Sequence, residues 1–123
     1  MWTPYEERRG CPQDFNVQYR FFSHEEGGRQ SLPAQGYRCD FAYQEDDIKE
    51  TGIYMIHPEF EDNDGNVILD DKISINRTGT ARMWIVSPKI REEIHKHKIE
   101  LGTKGYFMEG SRRVGVVEVI KIV

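Results

Sequence analysis

The sequence predicts an all-β domain, a sandwich or barrel carrying one short helix. Many short segments alternate apolar and polar residues, and clusters of Gly, Pro, Asn and Asp punctuate them at close intervals. Helical spacing with a start signal occurs once, after Ser87-Pro88. The length, 123 residues, is about one domain's worth, and a chain of this size buries roughly two thirds of its unfolded surface.

The first element is Phe15 to Phe21, where Phe15, Val17, Tyr19 and Phe21 alternate with Asn16, Gln18 and Arg20, the period of a half-buried strand. Residues 1–14 precede it without apolar periodicity and read as a loosely held leader able to dock through Trp2 and Tyr5. Residues 15–123 read as a single domain. Glu25-Glu26-Gly27-Gly28-Arg29 is a turn, extended as a loop by Pro33 and Gly36. Tyr37 to Tyr43 is a second strand, with Tyr37, Cys39, Phe41 and Tyr43 on one face, and Ile53 to His57 a third.

Glu59 to Asp64 is acidic, and Asp64-Gly65 is a turn signal. Val67 to Leu69, Lys72 to Arg77 and Ala81 to Val86 follow as short strands. Ser87 then caps a helix with Pro88 at its first position, and Lys96, His97 and Lys98 suit its negative end near residue 98. Gly105 to Met108 and Val114 to Val123 are the last strands.

Composition sets limits on function. The apolar fraction is 37%, or near 41% on the usual set once 11 Gly are added and 6 Tyr removed, against a norm of roughly 45–50%. The chain is therefore polar for a folded domain, but its 2 Trp, 6 Tyr and 6 Phe argue against disorder. The 17 basic and 21 acidic residues give a net charge of −4, which disfavours a strongly cationic nucleic-acid binder. No apolar stretch approaches the roughly 20 residues of a membrane span, and the first residues lack the apolar region of a secretory signal. The expectation is a cytoplasmic protein with no membrane association. Cys11 and Cys39 lack CxxC spacing and read as free thiols, Cys39 buried and inert, although spacing alone does not decide whether they are bridged.

Motifs that carry chemistry are missing. There is no GxxxxGK[ST], GxSxG, HExxH or GxGxxG, so the reading has no catalytic residue, no cofactor and no metal. A calcium loop with Gly65 at its invariant position places Phe60 where the first carboxylate belongs and Asp71 where a bidentate Glu belongs, so Asp62, Asp64 and Asn66 read as a solvated hairpin tip. His95 and His97, two apart on a helix, point to different faces and read as a surface helix end. His24 and His57 are too isolated to assign, and Ser31 and Ser111 have no partnered base by spacing. Glu25-Glu26 reads as a hydrated turn.

Glu25-Glu26-Gly27-Gly28-Arg29 followed by Gly36-Tyr37-Arg38-Cys39-Asp40-Phe41 resembles the third, C-terminal domain of bacterial elongation factor Tu, where the text reads EEGGR and then GYRPQF. Thr51-Gly52 matches that domain's TG, Ser87-Pro88 falls at its proline after a strand, and Glu109-Gly110-Ser111-Arg112-Arg113-Val114-Gly115 is similar to its closing EGGRTVG. The order is preserved from Phe15 to Val123. The resemblance implies a closed antiparallel Greek-key barrel of about six strands with no catalytic residues. It implies nothing of GTP binding, since the GTPase domain is not in this chain.

In that family the domain contacts the T-stem of aminoacyl-tRNA. Carried over residue by residue, the contacts mostly fail: the family glutamine becomes Asp40, its preceding proline Cys39, a basic residue Ser87 and an arginine Met108, while Thr51 and Gly110 are kept. Lost cations and a gained carboxylate weaken a phosphate-facing surface, with Arg112 and Arg113 as partial compensation. Further departures are an expansion at His57 to Asn66, another at Lys89 to Thr103, and Ile68-Leu69-Asp70-Asp71 in place of MPGD.

The functional expectation is a non-catalytic module that recognises an unidentified protein through enlarged loops, with aminoacyl-tRNA a disfavoured partner. The alternative is an RNA- or tRNA-binding translation module using Arg20, Arg29, Arg38, Arg112 and Arg113 beside Tyr37 and Tyr106. The candidate surface is Arg29, Arg38, Asp40, Thr51, Gly110, Arg112 and Arg113.

Overall fold

In a computed structural model describing residues 1–123, the regular alternation of Phe15–Phe21 forms the central strand, β1. Asp40–Tyr43 follows as β2, Ile56–Phe60 as β3 and Thr78–Ile85 as β4. Lys104–Glu109 and Arg112–Ile122 are β5 and β6. All six join one antiparallel sheet in the order β2-β5-β6-β1-β4-β3.

The sheet curls until its edges meet, but it stays an open barrel rather than the closed one expected. β2 and β3 are joined only by an isolated bridge, in which Phe41 and Tyr54 exchange N–H···O bonds of 2.8 Å. Two features stop the ladder there. β2 is only four residues long, and Pro58 has no N–H to offer. Beyond it, the Gln35 carboxamide closes the edge, its Oε1 accepting from Phe60 N–H and its Nε2 donating to Phe60 O, both at 2.9 Å. A side chain thus occupies positions another strand would take.

Inside the curl, alternate side chains of β1 meet Phe41, Tyr43, Ile56, Phe60, Met83, Phe107 and Val117 in one core. Its centre is aromatic: the Tyr19, Phe21, Phe60 and Phe107 rings sit at centroid distances from 5.2 to 6.4 Å. Each such ring stabilises the fold by roughly 1.5–3 kcal/mol through burial.

Several expected elements are placed differently. The second strand begins at Asp40 rather than Tyr37, although Cys39 is buried as its face predicts. The third lies at Ile56–Phe60, three residues later than read. Val67–Leu69 and Lys72–Arg77 are not strands and contribute only the bridges Glu61–Val67 and Ala34–Ser74. Along that edge Ile68 N–H shares the Phe60 carbonyl with Gln35 at 3.0 Å, but Gln35 holds the Phe60 N–H, so pairing stops at single bridges. Two short helical turns, α1 at Tyr5–Arg9 and α2 at Ile48–Thr51, add to the one helix expected.

That helix is one continuous segment made of α3 (Pro88–Ile90), a π-helical turn (Arg91–His95) and α4 (Lys96–Lys98). Ser87 caps it as expected, its Oγ accepting from Ile90 N–H at 3.2 Å. The leader packs on the outer face of β3 and β4. Tyr5 is buried against Trp84, and the Glu59 Oε2 accepts from Trp2 Nε1 and from Tyr5 N–H, both at 2.8 Å.

No helix is long and apolar enough to cross a membrane.

Candidate functional site

The Ser23–Gly28 turn is built by its own side chains. Glu26 accepts from Ser23 N–H at 2.9 Å and from Arg20 Nη1 at 3.0 Å, while Ser23 Oγ accepts from Glu26 N–H at 3.2 Å. The Ser23 backbone N–H foremost, with the Arg20 bond, pulls the Glu26 carboxyl down to about 2. Gly28 is required by space, because a Cβ there would lie 2.3 Å from the Phe22 carbonyl oxygen.

Arg29, next in the chain, reaches the β5–β6 turn. Its guanidinium lies 4.9 Å from the Tyr37 ring centre, its Nε donates to Ser31 O at 3.0 Å, and its Nη1 pairs with Glu109 Oε2. The Tyr37 hydroxyl donates to the same oxygen, and Arg112 Nη2 donates to Oε1 at 2.8 Å. Burial works to raise the Glu109 carboxyl, but the bonds from Tyr37, Arg29 and Arg112 outweigh it and hold the group below its ordinary range. The bond to Glu109 in turn raises Arg29, against the desolvation that lowers it. Gly110, at φ 59°, turns the chain between Glu109 and Arg112.

The structure thus brings Arg29, Gly110 and Arg112 together around a carboxylate. Asp40, half-buried opposite Met108, lies one register step from Glu109. Arg113 follows, its guanidinium 4.4 Å from the Tyr106 ring centre and without a carboxylate partner, and Arg38 is exposed. Thr51 does not join them. It ends α2 near the other end of β2, its Oγ1 bonded to Asp47 O and Gly52 O at 3.2 and 3.0 Å.

Two grooves are lined by other residues than this corner's. One, of about 380 Å³, lies between residues 51–55 and the helical segment and closes on His95. His95 is buried, contrary to the surface position expected from spacing, because the π turn rotates it under the helix. Its Nδ1 lies 2.6 Å from the Tyr43 hydroxyl, and burial pushes the imidazole down to about 4, so it is neutral at pH 7. The nearby hydroxyls of Ser87 and Thr51 are committed to backbone bonds.

The second groove, of about 500 Å³, runs along residues 62–76. Leu69 and Ile73 are 44% and 54% exposed there, with Ile75 buried beneath. Asp62 Oδ1 holds the hairpin tip by accepting from Asp64 N–H at 2.9 Å and Asn66 N–H at 3.0 Å.

Sequence reasoning missed three hubs: Glu109, Glu59 and the Tyr43–His95 pair. Glu109 stands inside the EG turn of the resemblance, and Trp2 and Tyr5 hint at a docking partner. Nothing in the sequence marks His95 as buried. Both cysteines are free, and burial, foremost, raises the Cys39 thiol well above its ordinary value. Among known proteins, no family model matches the chain and no curated protein is significantly similar to it.

Proposed function

We propose that the chain is a non-catalytic protein-recognition module, built on a curled β-sheet like the barrel that closes bacterial elongation factor Tu. The Phe41–Tyr54 bridge then marks the seam along which a barrel of that kind would close, left open here. The observation that carries the reading is the allocation of charge. Arg29 and Arg112 are neutralised by Glu109 and Arg20 by Glu26, so three of the five arginines available for a phosphate backbone face carboxylates of the same domain. The loops, by contrast, expose apolar side chains and unpaired carboxylates. Loops on a rigid sheet are where recognition surfaces are grafted.

Capture from cell lysate treated with ribonuclease tests the reading. The expected result is one discrete protein at near-stoichiometric yield. Recovery of background proteins alone, or tight binding of purified aminoacyl-tRNA, overturns it.

A second reading, RNA binding, is favoured by one observation. Arg113 lies on the Tyr106 ring without a carboxylate, and Arg38 is exposed nearby in sequence to β2, an arrangement suited to stacking and phosphate contact. RNA affinity that falls steeply with salt and is lost in Arg113→Ala supports this second reading.

A further inference from the structure

Charge is distributed unevenly along the chain. Residues 59–76 hold six carboxylates (Glu59, Glu61, Asp62, Asp64, Asp70 and Asp71) and one cation, Lys72. The other 105 residues hold 16 basic and 15 acidic side chains, so this segment accounts for the whole negative balance. Part of it is neutralised: Arg82 pairs with Glu61 at 2.9 Å, and the Met1 amino group approaches Asp71 at 3.8 Å. Asp62, Asp64 and Asp70 have no ion pair. Their only bonds are to backbone N–H groups: Asp62 takes those of Asp64 and Asn66, and Asp70 takes that of Lys72 at 3.0 Å.

Asp62 and Asp70 line the groove that Leu69 and Ile73 leave open. We infer that this groove docks a cationic amphipathic segment of a partner protein, with aliphatic side chains on Leu69 and Ile73 and Lys or Arg side chains over Asp62, Asp64 and Asp70. The inference rests on the protein-recognition reading and names the surface and the partner's chemistry. Two physical points select this occupant. Apolar floor is gained only by an apolar side chain, and an acidic rim attracts cations while repelling a polyanion such as RNA. The groove at His95 gives no such selection, because charges on its helix pair among themselves, Lys89 with Glu93 and Lys96 with Glu92.

The test is titration of the full chain with a short synthetic peptide carrying leucine and lysine at amphipathic spacing, followed by amide NMR. A peptide with glutamate in place of lysine is the control. Shifts are expected at residues 62–76, with no response to the control. Asp→Asn at 62, 64 and 70 keeps the turn-holding acceptor oxygens and is expected to weaken binding at least roughly fivefold, the scale of about 1 kcal/mol. Leu69→Asp is expected to abolish it, and Asp64→Asn alone, which disturbs no turn contact, to weaken it measurably. Shifts centred elsewhere, equal binding of the control, or unchanged affinity in the Asn variants overturns the inference. If a captured partner competes with none of these, the groove assignment fails while the recognition reading stands. A failed lysate capture overturns the recognition reading itself.

Discussion

The Glu109 corner and the 62–76 groove are both rich in charge, and they use it in opposite ways. At the corner, one carboxylate receives Tyr37, Arg29 and Arg112, so its cations are paired within the domain. At the groove, Asp62 and Asp70 receive only backbone N–H groups, Asp64 receives none, and the charge of all three faces solvent. The corner therefore holds the fold together, joining the 23–37 loop to the β5–β6 turn. The groove's three carboxylates offset no cation of the domain and leave their field open to solvent. A run of charged residues thus says little about binding until its internal partners are known.

The sharpest way to break this contrast is Glu109→Ala. Removing the carboxylate leaves the partly buried Arg29 guanidinium, the half-buried Tyr37 hydroxyl and the exposed Arg112 without that acceptor. A stability loss of about 3 kcal/mol is expected in urea denaturation, since bonds to charged groups contribute about 1.5–3 kcal/mol each and overlap here. A loss below about 1 kcal/mol would show that the corner is not structural. The same variant frees Arg29 and Arg112, so RNA affinity is expected to rise.

Acid distinguishes the corner from the helical groove. The His95 imidazole titrates near 4 when folded and near 6.5 unfolded, so the unfolded chain takes up the proton first. Its contribution is complete above about pH 6.5 and is lost as the pH falls toward 4, by roughly 1–3 kcal/mol. His57 is lowered by burial in the same direction. Glu109 acts at lower pH, since its depressed carboxyl keeps its contribution until the pH falls through the folded value. Urea midpoints at pH 7 and pH 5 should therefore differ, and His95→Gln should narrow the difference.

The third effect is smaller. Arg29→Lys keeps the charge but loses the planar contact over Tyr37 and the Nε bond to Ser31 O. About 1 kcal/mol is expected by the same denaturation, and no change would reduce the corner to a simple charge pair.

Strand periodicity was legible where neighbours lie on both sides. β1 matches its alternation because β4 and β6 flank it, and Ser87 capped where its side chain and Pro88 indicate. Legibility failed at edges. Ile73 and Ile75 alternate like a strand, yet Gln35 already occupies the edge of β3, so only Ser74 bridges. The pattern sets β3 too early because Pro58 and Glu59 are poor strand signals. The proline faces the open edge and Glu59 serves the leader, neither of which local pattern encodes. His95 failed for another reason: a 3.6-residue wheel cannot anticipate a π turn, which changes the phase of every later side chain. At the candidate surface, sequence marked Arg29, Gly110 and Arg112 but not the carboxylate that joins them, because ion pairing across 80 residues leaves no local trace.

The smallest stability effect tests the groove most directly. Asp64 is exposed, forms no ion pair, and its side chain holds no turn, the Asx contacts of the tip belonging to Asp62. Asp64→Asn should therefore change stability by less than about 0.5 kcal/mol in urea. A rise near that limit is the expected sign, because one of several crowded like charges is removed. A clear loss would mean that this carboxylate has a structural partner after all, and the groove's charge would then be architectural like the corner's. Near-neutral stability combined with weaker lysine-peptide binding is the pairing that only a recognition surface gives.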